Sequence, residues 1–193
     1  MEASHKHKEA EAGFNKLKTI KNWANTFGDI YHAIAFRLYY TLEFEAALFY
    51  WHSLSQSDDD DDWRMVGRVN ASLVYSQMSC FRNALSMIDN VTKIPDSIYS
   101  HFQHWINLAK AFAFAGTGQF LKSLALLDGL LRKYHLLCTD IDTILSIDTL
   151  KKTIERKVEN NQTENYEKWV HECIRRTHIH PKCQHFLPEH LQN

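Results

Sequence analysis

A chain of 193 residues, 45 % of them apolar, is long enough for one continuous core and short enough to be a single domain. Its 22 Lys plus Arg stand against 23 Asp plus Glu, a formal charge of -1 that excludes any general attraction for phosphate backbones or acidic membranes, so nucleic-acid binding would need a local patch. Six Gly and three Pro are few, and five Trp, eight Tyr and eleven Phe are generous, so long helices with short connections are expected.

Residues 1–8 are polar and are expected to form a frayed tail ahead of a helical domain over residues 9–177, with a His/Cys-rich tail over 178–193. The interleaved charges from Lys6 to Lys21 read as a solvated first helix, Glu9 to Phe27. A second helix runs from Asp29 or Ile30 to Thr41 on the stripe Tyr31, Ile34, Ala35 and Leu38, and its partner covers Glu43 to Ser55. The five aspartates Asp58 to Asp62 repel one another in a helix interior and suit a solvated turn, with Asp62 capping the next helix. A docking loop for a basic partner and a metal site are the rival readings of that run, and the spaced ligands and glycine of a calcium loop are missing. Trp63 to Met78 and Phe81 to Lys93 form the next pair, ended by Ile94-Pro95-Asp96-Ser97. Helices over Ile98 to Ala115 and Phe120 to Tyr134 flank the turn at Gly116 to Gln119, which lacks the Lys-Ser/Thr end of a phosphate loop. Asp140 to Val158 is a further helix, and Tyr166, Trp169, Val170, Cys173 and Ile174 mark a last one, the two forming a degenerate fourth hairpin that caps the stack.

One pattern occurs three times: Phe44, Ala47, Trp51, Leu54; Phe81, Ala84, Ile88, Val91; Phe120, Ser123, Leu127, Leu130. Offsets of 3, 7 and 10 return to one side of an α-helix, and the Phe anchors lie 37 and 39 residues apart, the length of a helix hairpin with its turns. Small residues recur with them. Ala35, Ser72 and Ala111 fall nine residues before the anchors, and Ala47, Ala84 and Ser123 three after, which lets paired backbones approach to roughly 8 to 10 Å.

Over residues 28–134 these motifs resemble the tetratricopeptide repeat family, whose repeats are about 34 residues long. Tyr31, Ile34, Ala35 and Leu38 precede the first anchor, Ala71, Ser72 and Tyr75 the second, and Ala111, Phe114 and Gly118 the third or its turn. The repeat-ending Pro is absent after the first repeat and one residue early after the second. The resemblance implies an all-α fold of stacked antiparallel hairpins in a right-handed α-solenoid, and an adaptor that holds a peptide or helix in a concave groove. It places His32, Phe36, Tyr39, Tyr40, Val69, Asn70, Leu73, Gln77, Leu108 and Phe112 on the groove. Asn70 stands where members that clamp a C-terminal carboxylate carry an asparagine, but the basic residues of that clamp have no good matches, Ala109 occupying one such place. An apolar helix or irregular peptide is the expected ligand, and packing against another helix of the same chain is the competing reading for each residue.

Imidazole and thiolate are suitable zinc ligands, and Cys173, His178, Cys183 and His185 are the four candidates, although their spacing matches no compact zinc knuckle. Cys80, Cys138, Cys173 and Cys183 contain no CxxC pair and are expected to be reduced thiols. Asn70, Asn90 and Asn161 match the glycosylation pattern, but two fall in or at the end of core-forming helices. His101 and His104 share a helix with no orienting carboxylate, and no HExxH, GxSxG or nucleotide loop is present, so no enzyme activity and no cofactor are expected. No apolar run suits a signal peptide or a bilayer span; a cytoplasmic or nuclear, non-secreted complex subunit is expected. The alternatives are a self-associating structural subunit, that is a homo-oligomer, and a single-stranded nucleic-acid-binding helical repeat, the latter disfavoured by the neutral charge.

Overall fold

The computed structural model describes residue 16 and residues 23–57, 61–89, 91, 102–133 and 141–175. The described residues are all-α: α1 (Trp23–Tyr40), α2 (Phe44–Ser55), α3 (Asp61–Gln77), α4 (Phe81–Ile88), α5 (Phe102–Gly116), α6 (Phe120–Arg132), α7 (Ile141–Glu159) and α8 (Tyr166–Ile174), with no strand among them. None of these helices is long and apolar enough to cross a membrane.

Three tight turns make hairpins of α1/α2, α3/α4 and α5/α6, and the turns are alike in detail. Leu42, Ser79 and Gly118 have φ of 62°, 61° and 76°. The next amide reaches back five residues: Glu43 N to Leu38 O at 2.9 Å, Cys80 N to Tyr75 O at 2.8 Å and Gln119 N to Phe114 O at 2.8 Å. Each left-handed residue itself donates three residues back, at 3.1, 3.2 and 3.1 Å, which completes a Schellman motif and satisfies carbonyls that a helix end otherwise leaves unpaired. The amide donor of the longer bond is then the first flanking residue of the next helix, so the chain reverses within three residues and the two helices run antiparallel.

The repeated stripes form the core. Ala47, Trp51 and Leu54, Ala84 and Ile88, and Ser123, Leu127 and Leu130 are each at most 1 % exposed. Between hairpins, α2 packs on α3, α4 on α5, and α3 on α5. Gly67 allows a close approach of backbone to backbone: a Cβ there would lie 2.4 Å from the Ser55 amide nitrogen and 2.5 Å from the Trp51 carbonyl oxygen.

Three expectations about ends are corrected. Gly28 does not divide two helices; α1 runs through it, because the missing Cβ leaves room for the Trp63 ring, which would stand 2.3 Å from such an atom. Helix α3 begins at Asp61, so Asp62 lies inside the first turn and is not its cap, although both carboxylates still meet the positive end of the helix. Arg64 pairs with Asp61 and donates to Ser57 O at 3.2 Å, tying the start of α3 back to the end of α2. Asp58 to Asp60 lie outside the described residues. Helix α4 stops at Ile88, short of Lys93, where Asp, Asn and β-branched residues follow; Val91 is buried all the same.

The fourth turn starts like the others and then departs. Asn161 is left-handed, with φ 52°, and Gln162 N reaches Lys157 O at 2.8 Å. Three further residues follow before α8, ending in a second left-handed residue, Asn165, with φ 53°. Helix α7 packs on α6, whereas α8 packs mainly on α5, keeps a contact with α7 and touches α3 more lightly.

Candidate functional site: the face of α1, α3 and α5

The ten residues expected to face a partner do not share one open surface. Val69, Leu73, Leu108 and Phe112 are 0 to 3 % exposed, Tyr39 is 4 % and His32 is 2 % exposed. Asn70 is buried with its amide donating to Val66 O one turn back at 2.9 Å, so it presents neither a carboxylate clamp nor a glycan acceptor. Phe36, Tyr40 and Gln77 alone among the ten keep partial exposure. The apolar side chains at these places are used by neighbouring helices of the same chain, the competing reading of the sequence.

On α1 the site is an aromatic cluster. Trp51 Nε1 donates to His32 Nδ1 at 3.3 Å, which fixes the neutral tautomer with the proton on Nε2. That Nε2 is buried without a hydrogen-bond partner among the described residues. The imidazole lies edge-on to Phe36, with centroids 4.6 Å apart, and close to the rings of Trp51 and Trp63. Burial pushes its pKa down to about 3, since nothing in this apolar pocket replaces the water an imidazolium would lose. Phe36 meets Trp51 edge-on at 5.5 Å and stacks on Tyr40 at 6.1 Å, so the two half-buried rings continue the cluster to the surface.

On α3, α5 and the first residue of α6 the occupant is α8. Its Tyr166 and Trp169 rings lie 5.8 and 5.7 Å from Phe120, the first edge-on and the second stacked, and Tyr166 also borders Gly118. Val170 and Ile174, one turn apart, are fully buried. Gln77 closes the far end in both directions. Its side-chain amide donates to Ile174 O at 3.1 Å, and its backbone carbonyl accepts from His171 Nε2 at 2.8 Å. Gln77, expected to bind a partner, therefore binds the carbonyl of an apolar helix, and that helix is the chain's own. Beside it, Ser79, Asn165, Tyr166, Glu167, Lys168 and His171 line an open cleft of about 500 Å³.

Of the zinc candidates, Cys173 is half-buried and its Sγ lies 3.9 Å from Thr153 Oγ1; His178, Cys183 and His185 lie outside the described residues. No three His, Cys, Asp or Glu side chains gather into a metal-holding group among the described residues. His104 is buried, and His101 lies outside the described residues. The position of α8 was missed in the sequence, where the available signal was spacing: Phe44, Phe81 and Phe120 follow their left-handed residue by two places, and Tyr166 follows Asn161 by five. Comparison with protein-family models, with curated proteins and with solved structures gives no match.

Proposed function

We propose that the chain is a non-enzymatic protein-interaction adaptor or complex subunit, built as a tetratricopeptide-like, right-handed stack of helix hairpins, that holds an apolar helix or peptide of its partner. The observation that carries this reading is the seating of an amphipathic helix, α8, on α3, α5 and the start of α6 by two buried aliphatic side chains, the Trp169 stack on Phe120 and the Gln77 amide. The surface offers what helix capture requires: apolar burial at the centre and a few hydrogen bonds at the edge. Repetition of the turn at Leu42, Ser79 and Gly118 supports the repeat architecture. A cytoplasmic or nuclear setting accords with four cysteines that form no evident disulfide framework.

Phe36 and Tyr40 are the partner contacts on α1, because they are aromatic, half-buried and stacked. Pull-down or proximity labelling in cells with Phe36→Ala and Tyr40→Ala, together with circular dichroism, tests the assignment. Loss of a partner at unchanged helicity supports it, with each truncation weakening binding by about 2 kcal/mol if the ring is a hot spot. Retention of every partner by the folded double variant removes these rings from the interface.

A further inference from the structure

We propose that α8 is a displaceable, intramolecular occupant of a helix-binding face made by α3, α5 and Phe120 at the start of α6, so that the chain is closed there to a partner helix until α8 leaves. The proposal rests on the reading of the chain as a helix-binding adaptor and adds its regulation.

The connection is the first argument. The fourth turn copies the Schellman bonds of the other three, and a direct continuation into the next helix would lay α8 along α7. Thr163, Glu164 and Asn165 lengthen it, and the second left-handed residue redirects the chain across α5 to α3. The seat of α8 therefore does not follow from the hairpin repeat, and its occupant is tethered by a short exposed linker.

The occupant itself is the second argument. Nine residues make only two and a half turns, too few for a stable isolated helix, so α8 keeps its structure only while it is docked. One face carries Trp169, Val170 and Ile174 to the seat, and the other exposes Glu167, Lys168, Glu172 and Arg175. Docking is also imperfect: Trp169 Nε1 is buried without a hydrogen-bond partner among the described residues, and an open cleft lies along the first turn. A partner helix with the spacing Tyr-x-x-Trp-Val-His-x-x-Ile would reproduce the ring, aliphatic and Gln77 contacts of α8, and one that satisfied the indole position would improve on it. With α8 competing for the face, the apparent affinity for such a helix is the intrinsic affinity multiplied by the fraction of chains in which the face is open.

Substitutions confined to α8 leave the face intact. His171→Ala removes the bond to the Gln77 carbonyl, and His171→Ala with Ile174→Ala also removes apolar burial. The probe is a fluorescent peptide of residues 163–175 carrying the natural His171 and Ile174, with Cys173→Ser, titrated into the full chain. Hydrogen exchange should show α8 amides of the single variant losing protection on the order of tenfold, and those of the double variant more, while α5 and α6 are unchanged. The peptide should bind the double variant at least tenfold more tightly than the unsubstituted chain. Exchange of α8 in step with α5 in all three proteins would overturn displaceability and leave the adaptor reading standing. Opening of α8 without peptide binding would overturn the helix-binding face itself. A concentration-dependent dimer with α8 exchanged between copies would also overturn the proposal, since the ligand would then be a second copy.

Discussion

Ser72 Oγ donates to the carbonyl of Ala84 at 2.9 Å across the second hairpin, and the same pair of positions in the third hairpin is bonded in reverse, Ser123 Oγ to Ala111 O at 2.8 Å. In the first hairpin both places are alanine, Ala35 and Ala47, and all six residues are fully buried. The hydroxyl fits on either helix because the backbones are close enough for a side chain of two heavy atoms and no larger. Ser72→Ala and Ser123→Ala should each lower unfolding free energy by about 1 kcal/mol in urea titrations, through loss of one hydrogen bond. Ala84→Leu should lower it by about 1 to 3 kcal/mol by overpacking.

Leu42 is in the left-handed region with its side chain 64 % exposed, so it bears a conformational cost without burial in return. Leu42→Gly is expected to raise stability by up to about 1 kcal/mol, and Ser79→Gly to do likewise. Gly118→Ala should act in the opposite sense. Denaturant midpoints of the three variants at one pH provide the measurement, and a loss of stability in Leu42→Gly would contradict the account of the turn.

Gly67→Ala sets helix propensity against packing. Alanine favours an exposed helix interior by about 1 kcal/mol, but here the new methyl would press on backbone atoms of Trp51 and Ser55 that belong to a packed helix. Net destabilisation of about 1 to 3 kcal/mol is expected, measurable as a lowered thermal midpoint.

His32 links stability to pH. Its pKa in the unfolded chain is near 6.5 and in the folded chain about 3, so between those values only the unfolded chain binds the proton. The contribution is complete above pH 6.5 and is lost as pH falls through this window, by at most about 1.4 kcal/mol per unit. His32→Phe should flatten the profile between pH 6.5 and 4.5 relative to the unsubstituted chain, while lowering stability at pH 7 by about 1 to 2 kcal/mol because Trp51 Nε1 loses its acceptor. The half-buried His52, whose pKa burial also lowers and whose Nε2 lies 2.7 Å from Tyr75 Oη, leaves a smaller slope of the same sign in the variant.

The helices were legible because each buried stripe recurs at a spacing that only a helix brings to one side; Trp51, Ile88 and Leu127 occupy the same place in three hairpins. What covers a stripe was much less legible. Leu73 and Phe112 are apolar at positions that suit a partner or a neighbouring helix equally, and periodicity reports only that such a side chain leaves water. The decision was made about 60 to 100 residues away, by three extra residues before Tyr166 that moved Val170 and Ile174 onto α5 and α3. Gln77 shows the same limit from the polar side: its hydrogen-bonding role was visible, but not the identity of the carbonyl it meets. The passage of α1 through Gly28 was hidden because the sequence shows a helix-breaking residue but not the Trp63 ring that requires it.

Leucine, serine and glycine adopt one backbone conformation at the three hairpin reversals, although only glycine favours it. The local sequence therefore does not dictate the bend; the pairing of the flanking rods imposes it. In folding, collapse of each pair should precede closure of its corner, and the tripeptide Met78-Ser79-Cys80 should be replaceable by Thr117-Gly118-Gln119 as an interchangeable part.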